Sequence, residues 1–356
     1  MRGLGTERTL TSVRDDGLVR ALVFDRFQGP LTVREVPAPV APPAGVVVRV
    51  GATGVCRSDW HGWQGHDPGI TLPHVPGHEL AGTVAEVGAE VTRWQVGDRV
   101  TVPFVNACGA CPRCLEGNQQ VCDAQRQPGF THWGSFAELV ALDAADVNLV
   151  ALPSALTFVT AAALGCRFAT SYRAVRQIAR VQPDEWVVVH GCGGVGLSAV
   201  HIATAAGAQV IAVDTSAAAL KLATSLGAWA VVQPPDVVAQ VNALTEGGAH
   251  VSVDALGSDQ TASDSIRCLR ARGRHVQVGL LPSLSSLPLS RVLARELQVL
   301  GSHGMAAHAY PEMLARIAAG ELHPEQLIGR ENTLDEAAVA LAEVGQRPGM
   351  AVITGF

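Results

Sequence analysis

The chain has 356 residues, 48% of them apolar and only 16% charged, with a net charge of −6 from 26 basic and 32 acidic side chains. That length suggests two domains, and the apolar share supports a sizeable core. The mild acidity, with no Lys/Arg run, excludes a nucleic-acid footprint, and no apolar run reaches the roughly 18–20 residues that a membrane-spanning helix needs.

Residues 1–18 carry mixed charges and no apolar centre, so they read as an N-terminal extension and not as a secretory signal. Strand-like alternation begins at Val19. Short runs at 19–24, 31–36, 46–50, 81–87 and 98–102, punctuated by Pro and Gly, predict antiparallel strands. The first half therefore reads as a β-rich barrel or folded sheet with long loops. Near residue 155 the character changes. Residues 160–180 have the Ala-rich composition of a helix. Buried strands at 186–189, 209–213, 231–232, 251–253, 275–278 and 297–300 then alternate with helical stretches such as 195–206, which predicts a doubly wound parallel sheet. Residues 310–356 read as two helices and a last strand at 350–353.

Cysteine spacing carries the first chemical signal. Eight cysteines in a chain with no export signal point to metal ligation in a reducing cytoplasm more than to disulfides. Cys108, Cys111, Cys114 and Cys122 follow C-x2-C-x2-C-x7-C. Four thiolates from one short loop suit a closed tetrahedral zinc site. An iron–sulfur cluster is the alternative, but the Cys-Pro step of ferredoxin motifs is missing. Cys192 and Cys268 have no partner in the sequence and read as core residues.

Gly191, Gly193, Gly194, Val195 and Gly196 lie in a G-x-G-x-x-G turn between a strand and a helix, the context in which that motif binds a dinucleotide. Asp214 ends the next strand, where a carboxylate accepts from ribose hydroxyls and repels a 2′-phosphate. With no arginine beside it, NAD is expected over NADP. The stretch 54–79 supplies a thiol (Cys56), a hydroxyl (Ser58) and two imidazoles (His61, His78), with Asp59 and Glu79 close by. These are the parts of an open zinc site with a proton path beside it.

Together these motifs resemble the zinc-dependent alcohol dehydrogenases of the medium-chain dehydrogenase/reductase family, over nearly the whole chain from Val19. The resemblance implies an α/β fold in which a GroES-like, β-rich catalytic domain (19–167 and 304–356) is split around a Rossmann domain (168–303). It implies a third catalytic zinc ligand at Cys166, beside Cys56 and His78, with Asp59 orienting His78 and Glu79 behind the metal. Ser58 takes the place of the hydroxyl that meets the substrate oxygen. His61 takes that of the outer base, and Arg57 that of a pyrophosphate contact. Trp60, Phe104 and His303 fall at the substrate pocket. The implied activity is reversible oxidation of an alcohol to an aldehyde or ketone with NAD and two zinc ions per chain. The implied state is a cytoplasmic homo-oligomer, a tetramer over a dimer, acting on small molecules. Two alternatives remain: a carbonyl reductase working mainly toward the alcohol, and a zincless quinone reductase-like or structural relative, against which the intact ligand set argues.

Overall fold

The computed structural model describes residues 17–281 and 286–356, so the extension read at 1–18 lies outside it but for its last two residues. β1 (Leu18–Val23) and β2 (Thr32–Pro37) form an antiparallel ribbon. β3 (Val46–Val55), β4 (Glu79–Val87), β5 (Arg99–Thr101), β6 (Leu139–Leu142) and β7 (Val150–Ala151) build most of a second sheet. β3 is its centre, pairing antiparallel with β4 on one side and with β6 on the other. Burial of nearly all of β3 explains its run of valines, because a strand covered on both faces has no reason to alternate.

The second half is the expected parallel sheet. β8 (Trp186–His190), β9 (Gln209–Val213), β10 (Ala230–Val232), β11 (Ala249–Asp254), β12 (Leu269–Gln277) and β13 (Gln298–Gly301) line up as β10-β9-β8-β11-β12-β13. Every pairing is parallel. In units of the sheet's own strands this is the order 3-2-1-4-5-6 of a Rossmann fold, whose ligand crevice opens beyond the strand ends where the order reverses. Here that point lies between β8 and β11.

The chain then returns. After the helix Tyr310–Ala318, β14 (Ile328–Thr333) and β15 (Met350–Gly355) join the sheet centred on β3, with β15 antiparallel to β3. β14 was not expected: its sequence Ile-Gly-Arg-Glu-Asn-Thr has one apolar residue, and it is held as an edge strand by pairing with β15. The segment expected as one helix at 160–180 is instead Phe158–Ala162, a π-helical turn at Leu164–Phe168, Ala169–Tyr172 and a second π-helical stretch at Arg173–Ile178. Phe168, Tyr172, Ile202, Tyr310 and Met313 lie in the largest core cluster, beneath the parallel sheet, and Leu22, Phe136, Leu341 and Ile353 in that of the first half. Among the described residues no helix is long and apolar enough to cross a membrane.

Candidate active site

Strand register brings the first two candidate ligands together. Gly54 of β3 stands opposite Glu79 of β4, so Cys56 just beyond β3 and His78 just before β4 become neighbours. The helix Arg57–Trp63 begins there, seven residues with too short a period to be read from sequence. Its Asp59 is buried and accepts from the backbone N–H of Cys56 at 2.9 Å and of Gly77 at 3.0 Å. Asp59 also meets His78 Nδ1 at 2.7 Å. A carboxylate accepts only, so Nδ1 carries a proton and Nε2 is the nitrogen left to face a metal.

Cys166 arrives on the π-helical turn Leu164–Phe168. Two bonds to that turn set it in place: the Phe104 backbone N–H donates to Gly165 O at 3.0 Å, and the Tyr310 hydroxyl donates to Leu164 O at 3.2 Å. Ligand atoms of Cys56, His78, Cys166 and one oxygen of Glu79 all lie within 4.8 Å of one another. His78 Nε2 is buried and has no hydrogen-bond partner among the described residues. An orphaned imidazole nitrogen beside two sulfurs costs free energy unless a cation completes the set, so these residues fit a metal. The Cys56 thiol is held well below its ordinary value, first by a hydrogen bond from Cys166 and then by His78 and Arg167, whereas Cys166 is pushed up. Metal ligation requires both sulfurs as thiolates, so a bound cation would displace their protons.

Around this set, Ser58 Oγ lies 3.8 Å from Cys56 Sγ. His61 is farther out, with Nδ1 2.9 Å from His66 Nδ1. Burial, Arg57 and His66 together hold the His61 imidazole below its usual value, which leaves it a neutral base near pH 7. Phe104 packs edge-on against His303, with ring centroids 5.2 Å apart, and lies 6.2 Å from His78. Trp60 packs against His61 and His66 beneath the Arg57 guanidinium. The Phe130 ring also packs against His78, with ring centroids 5.2 Å apart. Nothing in the sequence around Phe130 marks it out.

The four-cysteine loop closes as its spacing suggests. Sγ–Sγ separations are 3.5 Å for Cys111–Cys114 and Cys108–Cys122, 3.7 Å for Cys111–Cys122 and 4.0 Å for Cys108–Cys114. A tetrahedron with metal–sulfur bonds of about 2.3 Å has edges of about 3.8 Å, so the loop fits one zinc ion. All eight cysteines are free thiols.

The glycine turn joins β8 to the helix Gly194–Ala205. Gly191 has φ +86°, and a Cβ on Gly196 would fall 1.7 Å from Gly191 O, so both positions require glycine. A Cβ on exposed Gly193 would meet nothing, which leaves the turn open to a ligand above the helix N-terminus. Asp214 Oδ2 accepts from Cys192 N at 2.6 Å and Oδ1 from Ser216 N at 2.7 Å, pinning the end of β9 to the turn. Arg57 meanwhile donates to Val344 O at 3.1 Å. Sequence reasoning missed Arg167, which is buried and forks the Glu79 carboxylate with Nε at 3.0 and 2.9 Å and with Nη2. Its place beside Cys166 was the one available signal.

Comparison with known proteins agrees with this geometry. Residues 42–154 match the alcohol dehydrogenase GroES-like domain, and residues 194–319 match the zinc-binding dehydrogenase family. An alcohol dehydrogenase of Geobacillus stearothermophilus is 38% identical over 287 residues, 80% of this chain and 84% of the relative. Among solved structures, an NAD-dependent alcohol dehydrogenase superposes with a TM-score of 0.85 at 31% identity, covering 95% of this chain and 100% of the other. A zinc-binding dehydrogenase from Sinorhizobium meliloti 1021 bound to NADP has a TM-score of 0.85 at 30% identity, covering 95% and 99%. The protein belongs to the zinc-type medium-chain alcohol dehydrogenase family and is an alcohol oxidoreductase.

Proposed function

We propose that the protein oxidises an alcohol to an aldehyde or ketone, reversibly, with NAD as the hydride acceptor. Zinc would be held at Cys56, His78 and Cys166, and a second zinc at Cys108, Cys111, Cys114 and Cys122. The observation that carries this is His78 Nε2, buried and unpartnered beside two cysteine sulfurs, with its tautomer fixed by Asp59. Zinc at such a site supplies a Lewis acid to an alcohol oxygen, while the nicotinamide takes up hydride.

The chain's own residues would do the rest. Ser58, beside Cys56 Sγ, would hydrogen-bond the alcohol oxygen and take its proton. His61 would carry that proton outward, its bond to His66 extending the path to the surface. Phe104 and His303 would wall the pocket, with Trp60 stiffening the His61 side. Gly191, Gly193, Gly194, Val195 and Gly196 would cradle the pyrophosphate, with Arg57 on its outer side. Asp214 would accept from the adenosine ribose hydroxyls and disfavour a 2′-phosphate. On this reading the catalytic domain is 19–167 with 304–356, and the Rossmann domain is 168–303. A cytoplasmic homo-oligomer, a tetramer over a dimer, fits the edge strand β13 with exposed Val299 and the exposed Leu289 and Leu293 nearby.

The test is steady-state kinetics with NAD and NADP over primary, secondary, aromatic and polyol alcohols, run in both directions, alongside metal analysis. The expected result is two zinc per chain and a preference for NAD. A preference for NADP would sink the cofactor assignment, and well under one zinc per chain would sink the mechanism.

A further inference from the structure

Arg167 stands between the two halves of the site. Its side chain is 6% exposed, and its own backbone N–H donates to Glu79 Oε1 at 2.8 Å. Nε and Nη2 fork the same carboxylate. Glu79 in turn lies among the Cys56, His78 and Cys166 ligand atoms. Two glycines make room for this pair. A Cβ on Gly54 would fall 2.4 Å from Glu79 Oε2 and 2.7 Å from Arg167 Nη2. A Cβ on Gly194, the first residue of the helix beyond the glycine turn, would fall 2.4 Å from Arg167 Cδ and 3.3 Å from Nη1.

That last contact raises an electrostatic problem. A guanidinium carries a full positive charge, and a helix N-terminus carries partial positive charge, so the two repel unless an anion lies between them. Glu79 occupies Nε and Nη2, and no hydrogen bond from Nη1 to protein is found among the described residues. A twelve-residue helix N-terminus, an open turn at Gly193 and an unpartnered guanidinium nitrogen therefore converge on one place.

We propose that Arg167 anchors the dinucleotide phosphate through Nη1 while it holds Glu79 behind the metal ligands, so that cofactor binding and metal retention are coupled through one side chain. This rests on the zinc and NAD assignments above. Lysine cannot substitute, because a single ammonium cannot fork a carboxylate and reach a phosphate together.

The test compares wild-type holoenzyme with Arg167→Lys and with the double variant Arg167→Met/Glu79→Gln. The double variant removes both buried charges, so no uncompensated carboxylate is left to unfold the chain. NADH binding is followed by fluorescence titration, and zinc loss by transfer to a colorimetric chelator with and without NADH. Wild type is expected to bind NADH and to lose catalytic zinc more slowly when NADH is present. Both variants, folded by circular dichroism, are expected to bind NADH about tenfold more weakly or worse. In both, zinc loss no longer slows even at NADH concentrations that saturate them. A purely structural role would lower the melting point and leave NADH protection intact. Variants that bind NADH within twofold of wild type and keep that protection overturn the proposal. A wild type that binds neither zinc nor NADH overturns the functional reading and this proposal with it.

Discussion

Asp59 does three jobs with two oxygens: it caps the Cys56 N–H, holds the Gly77 N–H and fixes the His78 tautomer. Asp59→Asn keeps the size but can present an amide to Nδ1, which frees His78 to place its proton on Nε2. Catalytic zinc is expected to bind about 10–100-fold more weakly, with the fold retained. Chelator competition measures this, and an unchanged zinc affinity would show that Asp59 acts only as a backbone cap. At this scale the sequence was most legible where spacing is itself chemistry. Cys56, His78 and the four-cysteine loop announce themselves through residue type and interval, and Cys166 through family resemblance. Arg167 and Phe130 did not, because their meaning lies in contacts across the fold: Arg167 meets a carboxylate 88 residues away. Asp214 was read as a ribose contact, yet its bond to Cys192 N, which ties the two strand ends together, could not be anticipated from the motif.

At the scale of elements, β-branched runs predicted the buried strands well, since a fully covered strand needs little else. Short or polar elements escaped. β7 has two residues and β14 is mostly polar; both exist because a neighbour holds them. The π-helical turn at Cys166 was equally invisible, although it is what brings a backbone N–H from that turn to Glu79. Polar residues inside the parallel sheet carry a consequence of their own. His190, at the end of β8, is buried with Nε2 unpartnered among the described residues, and burial pushes its imidazole down to about 4 from 6.5. The folded value lies below the unfolded one, so the unfolded chain binds more protons between those limits, and stability falls as acid is added across that window. His275, lowered mainly by burial, acts in the same sense. Between pH 7 and pH 5 His190 alone should cost roughly 2 kcal/mol. His190→Leu removes the titration without leaving a new polar group unpaired. Urea unfolding at the two pH values should show the variant losing roughly 2 kcal/mol less than wild type; equal losses would assign the acid sensitivity elsewhere.

At the scale of the molecule, the site is assembled from three passes of one chain. β3 and β4 bring Cys56 and His78, the turn before the parallel sheet brings Cys166, and the segment after β13 brings His303 against Phe104. The doubly wound order was legible from the strand–helix alternation and the glycine turn. The return of the chain after residue 304 to the sheet of β3 came through the family resemblance alone, because nothing local marks which sheet a strand joins. The four-cysteine loop lies beside that return. Phe104 sits just before Cys108, Gln119 Oε1 accepts from His308 Nδ1 at 3.2 Å, and a Cβ on Gly304 would lie 3.1 Å from the Phe104 ring and 3.7 Å from Gln120 Cβ. The loop therefore braces the wall formed by Phe104 and His303, while a closed site has no position for substrate. Cys114→Ser removes one of four thiolates from a buried position. The expected outcome is loss of one zinc per chain, a lower melting temperature and a severalfold rise in KM for the best substrate. kcat should change little, since the metal ligands and hydroxyl proposed at Cys56, His78 and Ser58 are untouched. Metal analysis, thermal unfolding and kinetics on the same preparation decide it. Loss of that zinc with KM unchanged would mean that the wall stands without the loop, whereas a fall in kcat with KM unchanged would mean that the loop supports the metal ligands and not the pocket.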